Sequence, residues 1–212
     1  MTLVRIAPPK APPVSLQEMK DHLKVEHDTE NSLISSLVEA ATQHLDGPTG
    51  ILGRALVRQS WELRLDGRWW VRQSWHMNSP YWRWDGHGFG WAIRLPLPPL
   101  IAVDEIRYID ANGQEQVYPA ANYTVVGHGA MFGGSITNSS RAVVPVGPGS
   151  EPMRVRFTAG YENVPEPLKQ AIKLLVGHWY MSREAVTLAH ENRQVLPIGV
   201  QALIAPYRVM PL

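Results

Sequence analysis

The sequence predicts an α+β protein: a small helical bundle split in sequence by an inserted antiparallel β-rich domain. Three observations carry that reading. Apolar residues recur at helical spacing over residues 15–46 and again over 165–205. Between them the period changes to two, and Gly, Pro, Asn and Asp divide the alternating runs into short pieces. The second helical stretch then restarts at Val164-Pro165-Glu166-Pro167 and runs through Trp179-Tyr180, so the helical halves bracket the β block. The expected organisation is an extended N-terminal arm at 1–14, a helical core at 15–54 and 161–205, the β-rich domain at 55–160 and a tail at 206–212.

Along the chain, Pro8, Pro9, Pro12 and Pro13 disfavour helix in their own and preceding positions, which predicts an extended arm. Ser15-Leu16-Gln17-Glu18 has capping-box spacing, with the Ser15 hydroxyl placed to accept from the Glu18 amide and the Glu18 carboxylate placed to reach back. Leu16, Met19 and Leu23 form the stripe of that helix. Asp28 or Thr29 is expected to cap a second helix, whose Leu33, Ile34, Leu37, Val38, Ala41 and Leu45 fall at helical spacing before Gly47-Pro48. The predicted intramolecular core joins Leu33 and Leu37 to Ile172 and Val176.

In the β block, Val57, Trp61, Leu63 and Leu65 alternate with Arg58, Ser60, Glu62 and Arg64, as in a half-buried strand ending at Asp66-Gly67. Residues 91–95 repeat the pattern, and Pro96, Pro98 and Pro99 mark a bend. Val103 to Ile109, the Asn112-Gly113 turn and Gln114 to Tyr118 predict a hairpin. Tyr123 to Val126, a piece near Ile136 or Val143-Val144, and Met153 to Phe157 complete the strands. Pro165 suits a first helical turn, where a missing N–H costs nothing. Leu168, Ile172, Leu175, Val176 and Trp179 share one face of the helix that follows. Residues 187–194 read as a polar loop, and Ile198 to Ala205 as a short helix stopped by Pro206.

Composition bounds the function. With 44% hydrophobic and 18% charged residues, 212 residues suffice for a buried core. A net charge of +1 makes no overall electrostatic case for nucleic acid. There is no cysteine, which excludes disulfides and thiolate metal sites. No apolar run has signal-peptide or membrane-spanning length, so the expectation is a soluble cytoplasmic protein without membrane contact.

No catalytic, cofactor or metal constellation emerges. His22 and His27 lie five apart, off the i, i+4 spacing of one helical face, and His76, Asp85 and His87 read as solvated loop residues. His178, beside Trp179, reads as a hydrogen-bonded interior or interface histidine. Gly127 to Gly134 lacks phosphate-loop spacing and is not followed by a helix. Asp104 and Glu105 are adjacent on a strand, point to opposite faces and do not suit paired acid–base work. The strongest local feature is the loop 68–91, with Trp69, Trp70, Trp75, Trp82 and Trp84 among Arg68, Arg72 and Arg83. Such rings could cap the β domain, form an inter-protein contact, or stack on nucleotides or sugars. The last option defines an alternative function: a β-type binding module for carbohydrate or single-stranded nucleic acid.

Six phrases taken in order resemble the head–tail connector (adaptor) proteins of long-tailed phages and prophage-like particles. They are residues 14–25 (Val14-Ser15-Leu16-Gln17-Glu18 onward), Gln59 to Gly67, Leu95-Pro96-Leu97-Pro98-Pro99-Leu100, Arg156 to Tyr161, Val164 to Ile172, and Gly199 to Arg208. The resemblance implies a non-enzymatic ring subunit, usually dodecameric, seated in the virion neck between the portal and the tail or stopper proteins. It implies assembly in the host cytoplasm, and DNA passing through the ring without sequence-specific binding. Loop 68–91 is longer than the family's usual connection, so the resemblance says nothing of it. A closed ring needs two different complementary patches per subunit. Trp179, Tyr180 and Leu203 are the expected contacts to a neighbouring subunit. Residues 1–14 and 206–212 are expected to be disordered until bound, and the tail offers Tyr207 and Arg208 as portal anchors, in line with the implied reach of the C-terminal segment.

Overall fold

The computed structural model describes residues 1–65, 92–127, 129, 133–138, 150–181 and 196–209. The fold is α+β, with a β region inserted in sequence between the second and third of four described helices. Among the described residues, Met1–Pro9 and Arg58–Gly160 form one compact unit. Lys10–Val57 and the residues from Tyr161 onward form the other.

In the helical unit, α1 (Leu16–Leu23) starts at the capping box read from the sequence: Ser15 accepts from the Glu18 amide and the Glu18 carboxylate accepts from the Ser15 amide. Lys24, in the left-handed region at φ 57, turns the chain at its end. The second helix, α2 (Asn31–Leu45), corrects two expectations. Neither Asp28 nor Thr29 is its cap; Glu30 takes that place, its carboxylate making no capping bond to the first turn. The Asp28 carboxylate is occupied by Lys20 Nζ at 2.6 Å and Asn31 Nδ2 at 3.1 Å. The buried line is Ile34, Val38, Ala41 and Leu45, whereas Leu33 is 38% exposed and outside the core. At 100° per residue Leu33 sits one step around from Ile34, and Leu37 packs only at the core's margin.

The third helix, α3 (Glu166–Met181), follows Pro165, whose carbonyl accepts from the amides of Leu168 and Lys169. It buries Leu168, Ala171, Ile172, Leu175 and Val176 against the α2 line and Met19. The last helix, α4 (Ile198–Ile204), adds Val200 and Ile204. Pro206 does not end the helix sharply: a 3-10 turn, Ala205–Tyr207, continues it.

The β unit holds a five-stranded and a three-stranded antiparallel sheet. The first has the order β1 (Thr2–Ala7), β2 (Gln59–Leu65), β8 (Met153–Ala159), β4 (Leu100–Ile109), β5 (Glu115–Val117). The second has the order β3 (Ala92–Arg94), β7 (Ser135–Asn138), β6 (Tyr123–Val126). Registers across β2, β8 and β4 align Trp61, Phe157 and Val103 on one face, then Leu63, Val155 and Ile106, and this face carries the apolar core. Tyr118 links the sheets, edge-on to Tyr108 and stacked on Tyr123 at 6.1 Å. A Cβ on Gly134 would lie 2.2 Å from Leu100 Cδ2, so any larger residue there requires the Leu100 side chain to move. The Asn112-Gly113 hairpin turn forms as read, with Gly113 at φ +79 and the Asp110 carboxylate accepting from the amides of Asn112 and Gln114.

Two further expectations change. The first residues are not a free arm: Thr2–Ala7 is an edge strand paired antiparallel with β2. Strand β2 is therefore central, and Glu62, expected to face solvent, is 2% exposed.

The corrected α2 register separates two neighbouring residues. Ile34→Ala should cost about 2–5 kcal/mol of stability in urea unfolding followed by circular dichroism, and Leu33→Ala less than about 1 kcal/mol.

Candidate functional site

Three surfaces come into question. The first is the end of the chain. Arg54, 1% exposed, directs Nη1 to the Tyr161 hydroxyl at 2.6 Å and Nε to the Tyr207 carbonyl, with its guanidinium about 6 Å from both tyrosine rings. The Val209 amide donates to the Leu52 carbonyl at 2.9 Å. Residues 205–209 are thus clasped onto the loop after α2, which corrects the expectation that the tail is unattached from 206. Tyr207 is half-buried and turned inward, and Arg208 is exposed. Of the two proposed anchors, only Arg208 presents its side chain outward.

The second surface is the far end of α3. Trp179 and Tyr180 are both half-buried against the helical core. Trp179 meets His44 edge-on at 6.1 Å, and the Tyr180 hydroxyl donates to the Glu30 carboxylate. Leu203 is likewise half-buried on that core. His178 is exposed, which corrects the interior reading but leaves it at the surface beside these residues. All three expected neighbour contacts therefore make intramolecular contacts and keep part of their surface. Met181 and Ile198 are the most exposed large apolar residues described, at 85% and 84%.

The third is the polar face of the five-stranded sheet. Residues two apart on a strand share a face, so Glu62/Arg64, Glu105/Arg107 and Arg154/Arg156 all project to the same side. Register aligns Arg64, Arg154 and Arg107 in one row, where like charges directly opposite would repel. Carboxylates interleave them. Glu62 accepts from Arg64 and Arg156, both at 2.8 Å; Glu105 lies 2.7 Å from Arg107; Glu115 accepts from Arg107 at 2.9 Å and Arg154 at 3.3 Å; Glu151 is 3.7 Å from Arg64. Burial pushes the Glu62 carboxyl upward, yet the bonds from Arg156 and Arg64 outweigh it and hold it below its ordinary 4.5. Glu105 is held low chiefly by Arg107, and Arg107 is raised in turn by Glu105 and Glu115. With four glutamates against four arginines, the lattice is neutral, although the buried Arg154 Nε has no hydrogen-bond partner. It makes no anion site. The i, i+2 charge pairs were visible in the sequence; which strands are neighbours was not.

Trp69, Trp70, Trp75, Trp82 and Trp84 lie outside the described residues, as do His76, Asp85, His87 and 187–194. Among the described residues no group of three or more His, Asp or Glu side chains is placed to hold a metal ion, and no described helix is long and apolar enough to cross a membrane.

No protein-family model and no curated protein matches the chain. Solved structures do. A chain from the neck of an empty GTA particle, computed with C6 symmetry, aligns over 100% of this chain and 97% of its own, with TM-score 0.70 and 24% identity. A chain from the virion of a native gene transfer agent (GTA) particle gives the same coverage, TM-score 0.71 and 24% identity. One from the neck of the native GTA particle, computed with C12 symmetry, gives TM-score 0.64 and 23% identity. The likeness spans both units and establishes a shared fold.

Two outcomes follow from the geometry. Arg54→Met should lower stability by about 1–3 kcal/mol in denaturant melts, because the Tyr207 carbonyl and Tyr161 hydroxyl lose their donor; deletion of 206–212 should also lower the midpoint. Glu62 and Glu105 titrate below their unfolded values, so their contribution is full above the ordinary carboxylate range and is lost as pH falls through the lower folded values. Melting temperature should hold between about pH 7 and 5 and fall below about pH 4, and Glu62→Gln should weaken that acid dependence.

Proposed function

We propose that the chain is a structural, non-enzymatic subunit of the neck of a tailed phage or phage-like particle, acting as a head–tail connector. In this reading twelve copies form a ring between the portal and the stopper or tail proteins, and DNA passes through without sequence-specific contact. The observation that carries it is the alignment of the whole chain with nearly the whole length of neck chains, including the inserted β unit. Neck assemblies of C6 and C12 symmetry among the matches favour twelve copies. The six ordered phrases of the sequence point the same way.

Function here is assembly. A closed ring requires two unlike, complementary patches on each subunit. The helical unit supplies candidates in Trp179, Tyr180 and Leu203, whose half-buried side chains pack inward and leave an outer surface for a neighbour. Arg208, exposed beside the clasp, is the better portal anchor, because its fork of donors suits carboxylates and its removal leaves Arg54 and Tyr207 in place.

Purified protein examined by negative-stain microscopy and native mass spectrometry should give rings, with twelve copies as the expected mass. Arg208→Ala should leave the ring and its circular dichroism unchanged while reducing attachment to portal-bearing heads. A protein monomeric at all concentrations, with or without such heads, would remove the connector reading.

A further inference from the structure

Strand β1 is attached in an unusual way. It is the edge of its sheet and the first element of the chain, and its partner β2 begins at Gln59. None of its six residues is buried. What holds it is a backbone ladder from Thr2↔Arg64 to Ala7↔Ser60, the Thr2 hydroxyl on Glu151 at 2.7 Å and the Arg5 guanidinium 5.9 Å from the Trp61 ring. Proline then occupies positions 8, 9, 12 and 13, and residues 10–12 are exposed, before Val14 anchors the chain in the helical core. Proline restricts this segment, which bends at residues 10–11 and again at 13–14, where Pro13 is already buried.

An edge strand held by backbone pairing and tethered by an exposed, proline-rich hinge is readily exchanged between identical chains. The contacts made in the neighbour's sheet are the same contacts, so exchange changes only the path of the hinge. We propose that β1 is exchanged between neighbouring subunits in the assembled protein, each copy laying Thr2–Ala7 along β2 of the next. This rests on the ring reading above and deepens it. A ring demands that each subunit give with one surface and receive with a different one. Exchange of β1 meets that demand with a donor strand and an acceptor edge already matched in register, and passing it in one direction around a closed ring leaves no β2 edge unfilled.

The chain has no cysteine of its own, which makes a covalent test unambiguous. Ala7 and Ser60 are direct partners across the pair, and the Ala7→Cys/Ser60→Cys variant should link them on oxidation. Equal parts of this variant grown on light and heavy nitrogen are unfolded together, refolded, sized by native mass spectrometry, oxidised and digested. Exchange predicts that about half of the linked 7–60 peptides carry one light and one heavy half, with covalent multimers on non-reducing gels. Rings containing only unmixed linked peptides would overturn the exchange and leave the ring reading standing. Monomers with unmixed linked peptides at every concentration would overturn both. The variant without oxidation, compared with the parent by circular dichroism and ring mass, guards against a folding defect being read as either result.

Discussion

The structure depends on keeping the chain's departure from the helical unit beside its return. The helical core is assembled from residues on both sides of a hundred-residue insertion, so its helices meet only if positions 57 and 161 are held together. Polar bonds around the loop after α2 do this. The Asp46 carboxylate, just past the end of α2, accepts from the Leu56 amide at 2.6 Å. Leu56 in turn accepts from the Tyr161 amide, and Val57 and Tyr161 form a parallel bridge. Arg54 binds the Tyr161 hydroxyl and gathers the end of the chain into the same cluster. With that cluster in place, Ile34, Val38, Ile172 and Val176 can share one core; apolar burial then stabilises the unit at roughly 25 cal/mol per Å².

The β unit solves a different problem. Its central strands carry charge on one face, and the row of three arginines would oppose pairing if left alone. Glutamates two residues along each strand, and at the sheet's ends, convert that repulsion into a neutral lattice. Most of these pairs are partly exposed and individually weak; Glu62 is the exception, since its burial makes both of its arginine bonds obligatory.

What could be read from the sequence was local. The capping box at Ser15, the Gly113 hairpin and the 3.6-residue period of α3 each depend on residues within a few positions, and each appears where its pattern placed it. What could not be read depended on distant partners. The β-branched Thr2, Val4 and Ile6 suit a strand, but so short a segment needs a partner, and it is one because β2 offers an edge. Glu62 looked like an outward residue until β1 made its strand central. Asp28 carried the composition of a helix cap, but Lys20 claims its carboxylate. Arg54 and Tyr207 lie 153 positions apart, and no local signal joins them. For the surfaces, the sequence named aromatic residues that turn out to be half-engaged within the subunit, and it missed the clasp that fixes where the chain ends.

The split helical core has a consequence for synthesis. Helices α1 and α2 leave the ribosome early, yet the face that covers Ile34 and Val38 belongs to α3, which begins only at Glu166. At translation rates of about 5–20 residues per second, that apolar line waits on the order of ten seconds for its cover. The β unit, complete by Gly160, has all its strands before α3 exists. The inserted unit therefore has all its strands available to pair before the helical unit can seal over a gap of high contact order. During that interval the nascent chain shows an unpaired amphipathic hairpin of helices, the kind of surface that chaperones bind.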